Sequence, residues 1–415
     1  MSNVVVVDAY APTRGLAPEF RNAGYEVVRV LSTPEPPLVY RTEFDISPYV
    51  ANIAHDGVFA DTLAAVAAFD PVAVVAAGES GVEFADQLSE ALAVPTNGTA
   101  LSPARRDKYA QTETVRAAGL RAAEQLLVTS AEALREWHAE RGGQIVVKPV
   151  RSAAGDHVAF CDSPAESVGA YQAILAADNV FSQPNTAAVA QEYLCGGEYV
   201  VNTVSRNGQH HITDFWKYVQ ITLNGITDLS VGSRLMQRYG EVQEQLAPYA
   251  FDVLDALGIA HGAAHMEVRL TPTGPCLVEV GARMAGLGMP YFTKHCIGET
   301  QIEWIVDAYV RPDRFAERWK EGYELRRHFV SAMTASPVDG VLRSYPMLPV
   351  VEQLESFSSM HAVVAPGDRL RRTVDDITCP LVVNFSHEVE EIVDRDFGTL
   401  RYLDGPSFYE LEPPP

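Results

Sequence analysis

Apolar and polar residues follow two rhythms along this chain. The segment Asn3–Val7 ends in four consecutive valines, the pattern of a strand covered on both faces. A helix is expected over 17–23 and a second strand over 26–30. Another strand, over 72–77, runs into Gly78-Glu79-Ser80-Gly81. The next stretch, 82–92, places Val82, Ala85, Leu88, Ala91 and Leu92 on one helical face. Strands alternating with helices predict an open α/β sheet. Such sheets bind ligands in the loops after their strands, which makes 78–81 a candidate substrate loop. A tight turn opening the following helix is the competing reading.

Further along, 102–118 reads as a helix carrying Arg105, Arg106, Asp107 and Lys108, a charge cluster of the kind that forms a solvated face. A strand near 120–128, a helix over 131–140 and an apolar strand over 144–149 follow. Lys148 stands near the end of that strand, before a small-residue loop that includes Ser152 and Gly155. Lysine is rarely buried unpaired. A strand, a lysine and a flexible loop can fold over a nucleotide's phosphates, with backbone N–H groups and the lysine as donors. A snorkelling lysine on an ordinary hairpin is the alternative. The strand over 187–194 ends in Cys195-Gly196-Gly197-Glu198, where Gly-Gly permits a hinge. The exposed backbone of such a hinge can read an adenine edge, and Glu198 can accept from ribose hydroxyls; a plain β-turn is the alternative.

Strands are expected over 199–206, 212–218 and 230–236. A helix over 241–257 closes at Gly258, and another over 299–310 stops at Arg311-Pro312. From about residue 326 short alternating runs dominate (327–334, 340–345, 359–364, 381–386), with a turn at Pro366-Gly367-Asp368. These predict a small, mostly-β terminal domain without a catalytic constellation, its last residues, 412–415, frayed. His361 and His387 read as ordinary histidines.

The stretch 261–288 carries the densest chemistry. Two alternating runs, 265–270 and 275–281, flank the turn signal Thr271-Pro272-Thr273-Gly274. Folded as a hairpin about Thr273, the stretch sets Glu267 opposite Glu279. Carboxylates paired in this way stand ~5 Å apart at their Cβ atoms and repel. A hard cation cancels the repulsion, and Mg²⁺ takes carboxylate oxygens together with substrate phosphates. Arg283 follows on a glycine-rich exit, Gly281, Gly286 and Gly288, which lets a ligand approach the backbone. Alternation puts His265 on the same side as Glu267. A surface hairpin with two solvated glutamates is the competing reading.

Composition narrows the partners. The 415 residues are 47% hydrophobic and 21% charged, as in globular proteins, and suffice for two to four domains. A net charge of −22 argues against nucleic acid, so an anionic nucleotide needs a local cluster of lysine, arginine and metal. Five cysteines without metal-ligand spacing suit reduced thiols in a cytoplasmic protein. No run reaches the ~18 apolar residues of a membrane span. Neither a GxGxxG after the first strand nor a GxxxxGK[ST] is present.

In their order, these pieces resemble the ATP-grasp superfamily, in particular its carboxylate–amine ligases, which include bacterial L-amino acid ligases. The resemblance rests on Gly78-Glu79-Ser80-Gly81, Arg106-Asp107-Lys108, Val147-Lys148-Pro149 with 152–155, Gln191-Glu192-Tyr193-Leu194 with Gly197-Glu198-Tyr199, and Glu267, Glu279 and Arg283. The turn Ala365-Pro366-Gly367-Asp368 also resembles that family's C-terminal domain. The resemblance implies an α/β (α+β) fold of the ATP-grasp type. Its parts would be an N-terminal Rossmann-like pre-ATP-grasp domain over 1–104, a two-subdomain core over 105–325 with 126–202 as nucleotide-covering lid, and a mostly-β domain over 326–415. It implies ATP with Mg²⁺, or Mn²⁺ in its place, small-molecule carboxylate and amine substrates, no nucleic acid or membrane partner, and a homodimer as an open alternative to a monomer.

The same resemblance assigns roles. Lys108 and Lys148 contact ATP phosphates, and the loop from Ser152 to Gly155 covers them. Glu192, Tyr193 and Leu194 line the adenine pocket, and Glu198 holds the ribose. Glu267 and Glu279 bind the metal ions, and Arg283 stabilises the transferring phosphoryl group. The family commonly has an asparagine metal ligand where this chain has Gly281, which puts the second metal in question. His265 is a candidate for substrate contact or proton transfer, and Arg234 for anchoring a substrate carboxylate. A structural histidine and a surface arginine compete with these readings. Trp216 and Lys217 are further candidates, and Met289, Tyr291 and parts of 78–83 would form the side-chain pocket. The expected reaction is amide formation through an acyl-phosphate. A ligase acting on a non-amino-acid intermediate and a nucleotide-binding protein without catalysis are its rivals.

Overall fold

The computed structural model describes residues 1–413; of the tail expected to fray, Pro414 and Pro415 lie outside the described residues. The valine run is the parallel strand Asn3–Val7, between Glu26–Leu31 and Pro71–Ala76, with Ala51–Ala54 at one edge. Val4 and Val6 pack with Leu16, Phe20, Trp304 and Ile305, while Val5 and Val7 pack with Val66, Phe84 and Leu88. Both faces are therefore covered, which is why apolar residues fill successive positions. One cover, the helix Gln301–Val310, comes from far along the chain.

The body is an eight-stranded antiparallel sheet. Its order is Gly274–Gly281, Gly262–Thr271, Gly197–Arg206, Gln209–Leu223, Ile226–Leu235, His328–Met333, Leu381–His387 and Phe357–Ala362. Ala264, Met266 and Val268 pack on Leu246, Ala250 and Val253 of the helix Glu241–Ala256. Alternation turns His265, Glu267 and Arg269 to the opposite face. A four-stranded sheet, Gln125–Val128, Ala188–Glu192, Ile145–Pro149 and Ala159–Cys161, stands across a cleft from that face.

The C-terminal segment supplies the last three strands of the large sheet, so that sheet is continuous from the hairpin to Phe357–Ala362. The helix Glu390–Leu403 packs on these strands through Val393, Phe397 and Leu400. This helix and Pro164–Leu175 are elements the strand-and-turn pattern does not anticipate, although Ser163 caps the latter and Pro164 sits at its first position. No helix among the described residues is long and apolar enough to cross a membrane.

The stretch 102–118 is two elements. A 3₁₀ turn, Pro103–Arg105, ends before Arg106, and a helix, Lys108–Ala117, begins with Asp107 as its cap, accepting from the Tyr109 and Ala110 amides at 3.0 Å each. The break turns the charged run inward, contrary to the solvated face expected of it. Arg105 is 1% exposed. It bonds Asp86 at 2.7 Å and the carbonyls of Asn97, Gly98, Leu257 and Gly258 at 2.6–3.1 Å. One guanidinium thus ties Asp86 and the segment 97–98 to the end of the helix Glu241–Ala256. Removing it leaves Asp86 buried and several carbonyls unpaired. Arg105→Ala should lower unfolding stability by about 3–5 kcal/mol, measured by denaturant titration, and a loss below about 1 kcal/mol would contradict this role.

Candidate active site

The hairpin is built as its turn signal requires, with one addition. Thr271 pairs with Gly274, so Pro272 and Thr273 alone make the turn, and Thr271 Oγ1 donates to the Gly274 carbonyl at 2.8 Å. A regular ladder from that turn would pair Glu267 with Val278. A bulge in the strand Gly274–Gly281 shifts the register, and Glu267 pairs with Glu279. Both carboxylates then face the cleft, whose volume is about 420 Å³.

Cations and donors stand around them. Lys108 Nζ is 2.8 Å from Glu279 Oε2 and donates to the Ser152 carbonyl at 2.7 Å, joining the first residue of its helix to the loop across the cleft. Lys148 Nζ lies 3.4 Å from the carbonyl of the bulged Val278. Burial, with the charge of Lys108, lowers the Lys148 ammonium to about 8, against the pull of Glu279 and Glu267. The Tyr218 hydroxyl donates to Glu267 at 2.9 Å, and His265 Nε2 lies 3.6 Å from the same oxygen. Burial pushes the Glu267 carboxyl up, but the hydrogen bond and charge of His265, with the Tyr218 hydroxyl, hold it below the usual range.

His265 is oriented from behind. Its Nδ1 meets Asn202 Oδ1 at 2.8 Å, and Asn202 donates to Asp214 at 2.5 Å. The Trp216 indole donates to the same Asp214 at 2.6 Å, so Trp216 serves this buried network. Lys217 is exposed on the other face of its strand. Arg234 pairs with Lys217 in the ladder and shares that face. There it meets Asp394 and Glu390 of the C-terminal helix, outside the cleft. The expected substrate anchor is thus a structural ion pair, and strand parity is the reason.

At one end of the cleft, Tyr193 and Leu194 line it beside Phe160, whose ring stands edge-on to Tyr193 at 6.0 Å. Glu192 also lines it, with its carboxylate held by Arg121 at 2.9 Å and Arg141 at 3.2 Å. Glu198 is buried against Arg269 and Gln220. Burial and the nearby Glu267 push its carboxyl up, partly offset by Arg269. Ser152 Oγ donates to Asp156 at 2.5 Å, and Gly155 adopts φ +72°, within the loop facing the two lysines.

At the other end the loop 78–81 enters the site. Glu79 is bonded by Arg106 and, at 2.8 Å, by Arg283. Burial would raise the Glu79 carboxyl, but the two guanidinium groups bring it down to about 2. A Cβ on Gly281 would come within 2.7 Å of Glu79 Oε2. Glu79, held there by Arg106 and Arg283, occupies the space a side chain at position 281 would take. Met289 lines the cleft, whereas Tyr291 lies outside it, bonding Pro12 and Gly15.

Sequence reasoning missed several cleft residues. Asp8, Tyr10 and Tyr40 come from the N-terminal domain, and the Tyr10 and Tyr40 rings stack at 4.6 Å. The C-terminal segment, expected to hold nothing catalytic, contributes Asp376, whose carboxyl burial and Glu267 push up to about 7. Arg269 also lines the cleft, where no motif marks it.

Residues 142–291 match the ATP-grasp domain family. The chain is 30% identical over 413 residues to dapdiamide A synthase of Enterobacter agglomerans, covering 98% of this chain and 97% of that protein. The fold is similar to L-amino acid ligase from Bacillus licheniformis, with a TM-score of 0.75 at 17% identity over 100% of this chain and 99% of that one. It is also similar to the biotin carboxylase domain of Hydrogenobacter thermophilus 2-oxoglutarate carboxylase, a structure holding MgADP, with a TM-score of 0.64 at 12% identity over 99% and 90% of the two chains. The chain belongs to the ATP-grasp carboxylate–amine ligases, and it is an enzyme that forms C–N bonds at the expense of ATP.

Proposed function

We propose that this ligase activates a small carboxylate, of an amino acid or a similar molecule, as its acyl-phosphate, and that an amine then displaces the phosphate to give an amide, ADP and phosphate. The observation that carries this reading is the pairing of Glu267 with Glu279 within reach of Lys108 and Lys148, with Arg283 at the far end of the same cleft. Positioning and charge neutralisation dominate phosphoryl transfer, so no nucleophilic side chain is required.

The donor set suits Mg²⁺. Among the described residues no three histidine, cysteine or acidic side chains converge as a ready-made cage. Two carboxylates are what a cation held mainly by substrate phosphates needs. Glu267 and Glu279 would hold it, and when bound it neutralises charge on the phosphate oxygens. Lys108 and Lys148 draw the polyphosphate to the hairpin, and the loop from Ser152 to Gly155 closes over it and excludes water. Tyr193 and Leu194 hold the adenine and Glu198 the ribose. Arg283, steadied by Glu79, faces the carboxylate end and binds the oxygens of the group being transferred. His265 contacts the substrate beside Glu267. We assign 1–104 to substrate binding together with the core, 126–202 to a lid that moves, and 326–415 to a terminal unit whose Asp376 closes the cleft. The enzyme acts in the cytoplasm, on small molecules, as a monomer or homodimer.

A coupled assay with Mg²⁺-ATP against pairs of amino acids tests this reading. ADP and phosphate should form only when both a carboxylate and an amine are present. AMP and pyrophosphate would contradict it. Glu279→Ala should lower ADP formation by about 10²-fold or more with an unchanged denaturation midpoint. Unchanged turnover would overturn the metal assignment.

Lys148 supplies a pH test. Only the ammonium form attracts phosphate, and its unliganded value of about 8 means that the charge is present below that pH and lost above it. ATP affinity, measured by calorimetry without the amine, should fall as pH rises through about 8. Lys148→Arg should move the fall upward, because a guanidinium stays charged. A flat profile in the unaltered protein would contradict the phosphate role.

A further inference from the structure

Arg269 is a buried cation at the nucleotide end that the reaction chemistry above does not use. It lies on the cleft face two residues beyond Glu267, opposite Glu198 in the ladder. Its guanidinium makes four separate attachments. Nη1 donates to the Gly196 carbonyl at 3.0 Å, and Nε donates to Glu198 Oε2 at 2.9 Å. Nη2 lies 2.7 Å from the same Oε2 and donates to Asp228 Oδ2 at 2.9 Å. Asp228 Oδ2 also accepts from the Tyr193 hydroxyl at 2.8 Å. The third donor on Glu198, Gln220, goes to Oε2 as well, at 3.0 Å. Every protein donor on Glu198 therefore falls on one oxygen, and Oε1 has no partner among the described residues.

We propose that Arg269 is the positioning residue of the nucleotide subsite. One planar fork fixes the hinge backbone at Gly196, the carboxylate of Glu198 and, through Asp228, the tyrosine beside the adenine. It holds Glu198 in a buried setting and turns Oε1 to the cleft as a free acceptor for a ribose hydroxyl. The hinge has no slack to substitute for this. Gly196 adopts φ +152°, and a Cβ there would collide with the Leu270 carbonyl. A lysine could keep the charge but could not reach the backbone, Glu198 and Asp228 together. The inference rests on the reading of Glu198 as the ribose holder.

Selectivity for the ribose hydroxyls separates the two claims. The full-length enzyme is assayed with ATP, 2′-deoxy-ATP and 3′-deoxy-ATP, and kcat/KM ratios are compared. The unaltered enzyme should prefer ATP over at least one deoxy form by about tenfold, the effect of a hydrogen bond to a charged acceptor. Glu198→Gln and Arg269→Met should each erase most of that preference and raise the KM for ATP by about tenfold. KM for the carboxylate and the amine should stay put, a pattern general loosening of the fold would not give. Arg269→Lys should show the same loss, and it carries the test if the Met variant does not fold. Loss in Glu198→Gln with full selectivity in the Arg269 variants would overturn the positioning role alone. Full selectivity in Glu198→Gln would overturn the ribose reading and the inference with it.

Discussion

Glu267 and Glu279 face each other across one hairpin, and neighbouring carboxylates repel unless positive charge stands close by. Much of the cleft answers that repulsion. Lys108 sits on Glu279, Lys148 stands beside the bulge, and Tyr218 and His265 address Glu267. Arg269 balances Glu198 on the same face. These groups come from different parts of the chain, so the charge arrangement forms only when the helix Lys108–Ala117, the strand Ile145–Pro149 and the large sheet have come together. In a protein with a net charge of −22, Lys108 and Lys148 are thereby held beside the hairpin carboxylates.

The far end of the cleft obeys a steric constraint. Glu79 crosses from the N-terminal domain to reach Arg106 and Arg283, and the room it needs is left by Gly281. Gly281 is thus tied to a carboxylate from a loop about two hundred residues earlier in the chain. Arg283 is held by that carboxylate and by its bond to the Met284 carbonyl at 3.0 Å, which fixes its position before any substrate arrives. The two ends share a logic, with a buried arginine and glutamate setting the direction of the group that meets the ligand.

The alternating runs and the turn at 271–274 made the hairpin readable, but centring it on Thr273 gives the Glu267–Glu279 pairing only because a bulge supplies the residue that the two-residue turn lacks. The bulge at Val278 was not readable from the turn, since the extra residue shows only in the ladder. Arg234 and Arg269 look alike in sequence, each an arginine within a strand. Alternation sets Arg269 with His265 and Glu267, whereas Arg234 pairs with the exposed Lys217, and only tertiary packing decides which face of that strand lies outside the cleft. Arg105 and Arg106 read as a solvated helical face because the helix was extended through Asp107, whose capping role breaks it. The contributions of Asp8, Tyr40 and Asp376 come from tertiary contact across long stretches of chain, and no local pattern marks them.

Oxygen transfer tests the central claim most directly. The carboxylate substrate is labelled with ¹⁸O, the enzyme turns over with ATP and the amine, and the released phosphate is analysed by mass spectrometry. Attack of the carboxylate on the terminal phosphoryl group predicts one ¹⁸O in each phosphate and none in the nucleotide. Label appearing in AMP, or phosphate released without label, would contradict an acyl-phosphate formed at the hairpin carboxylates.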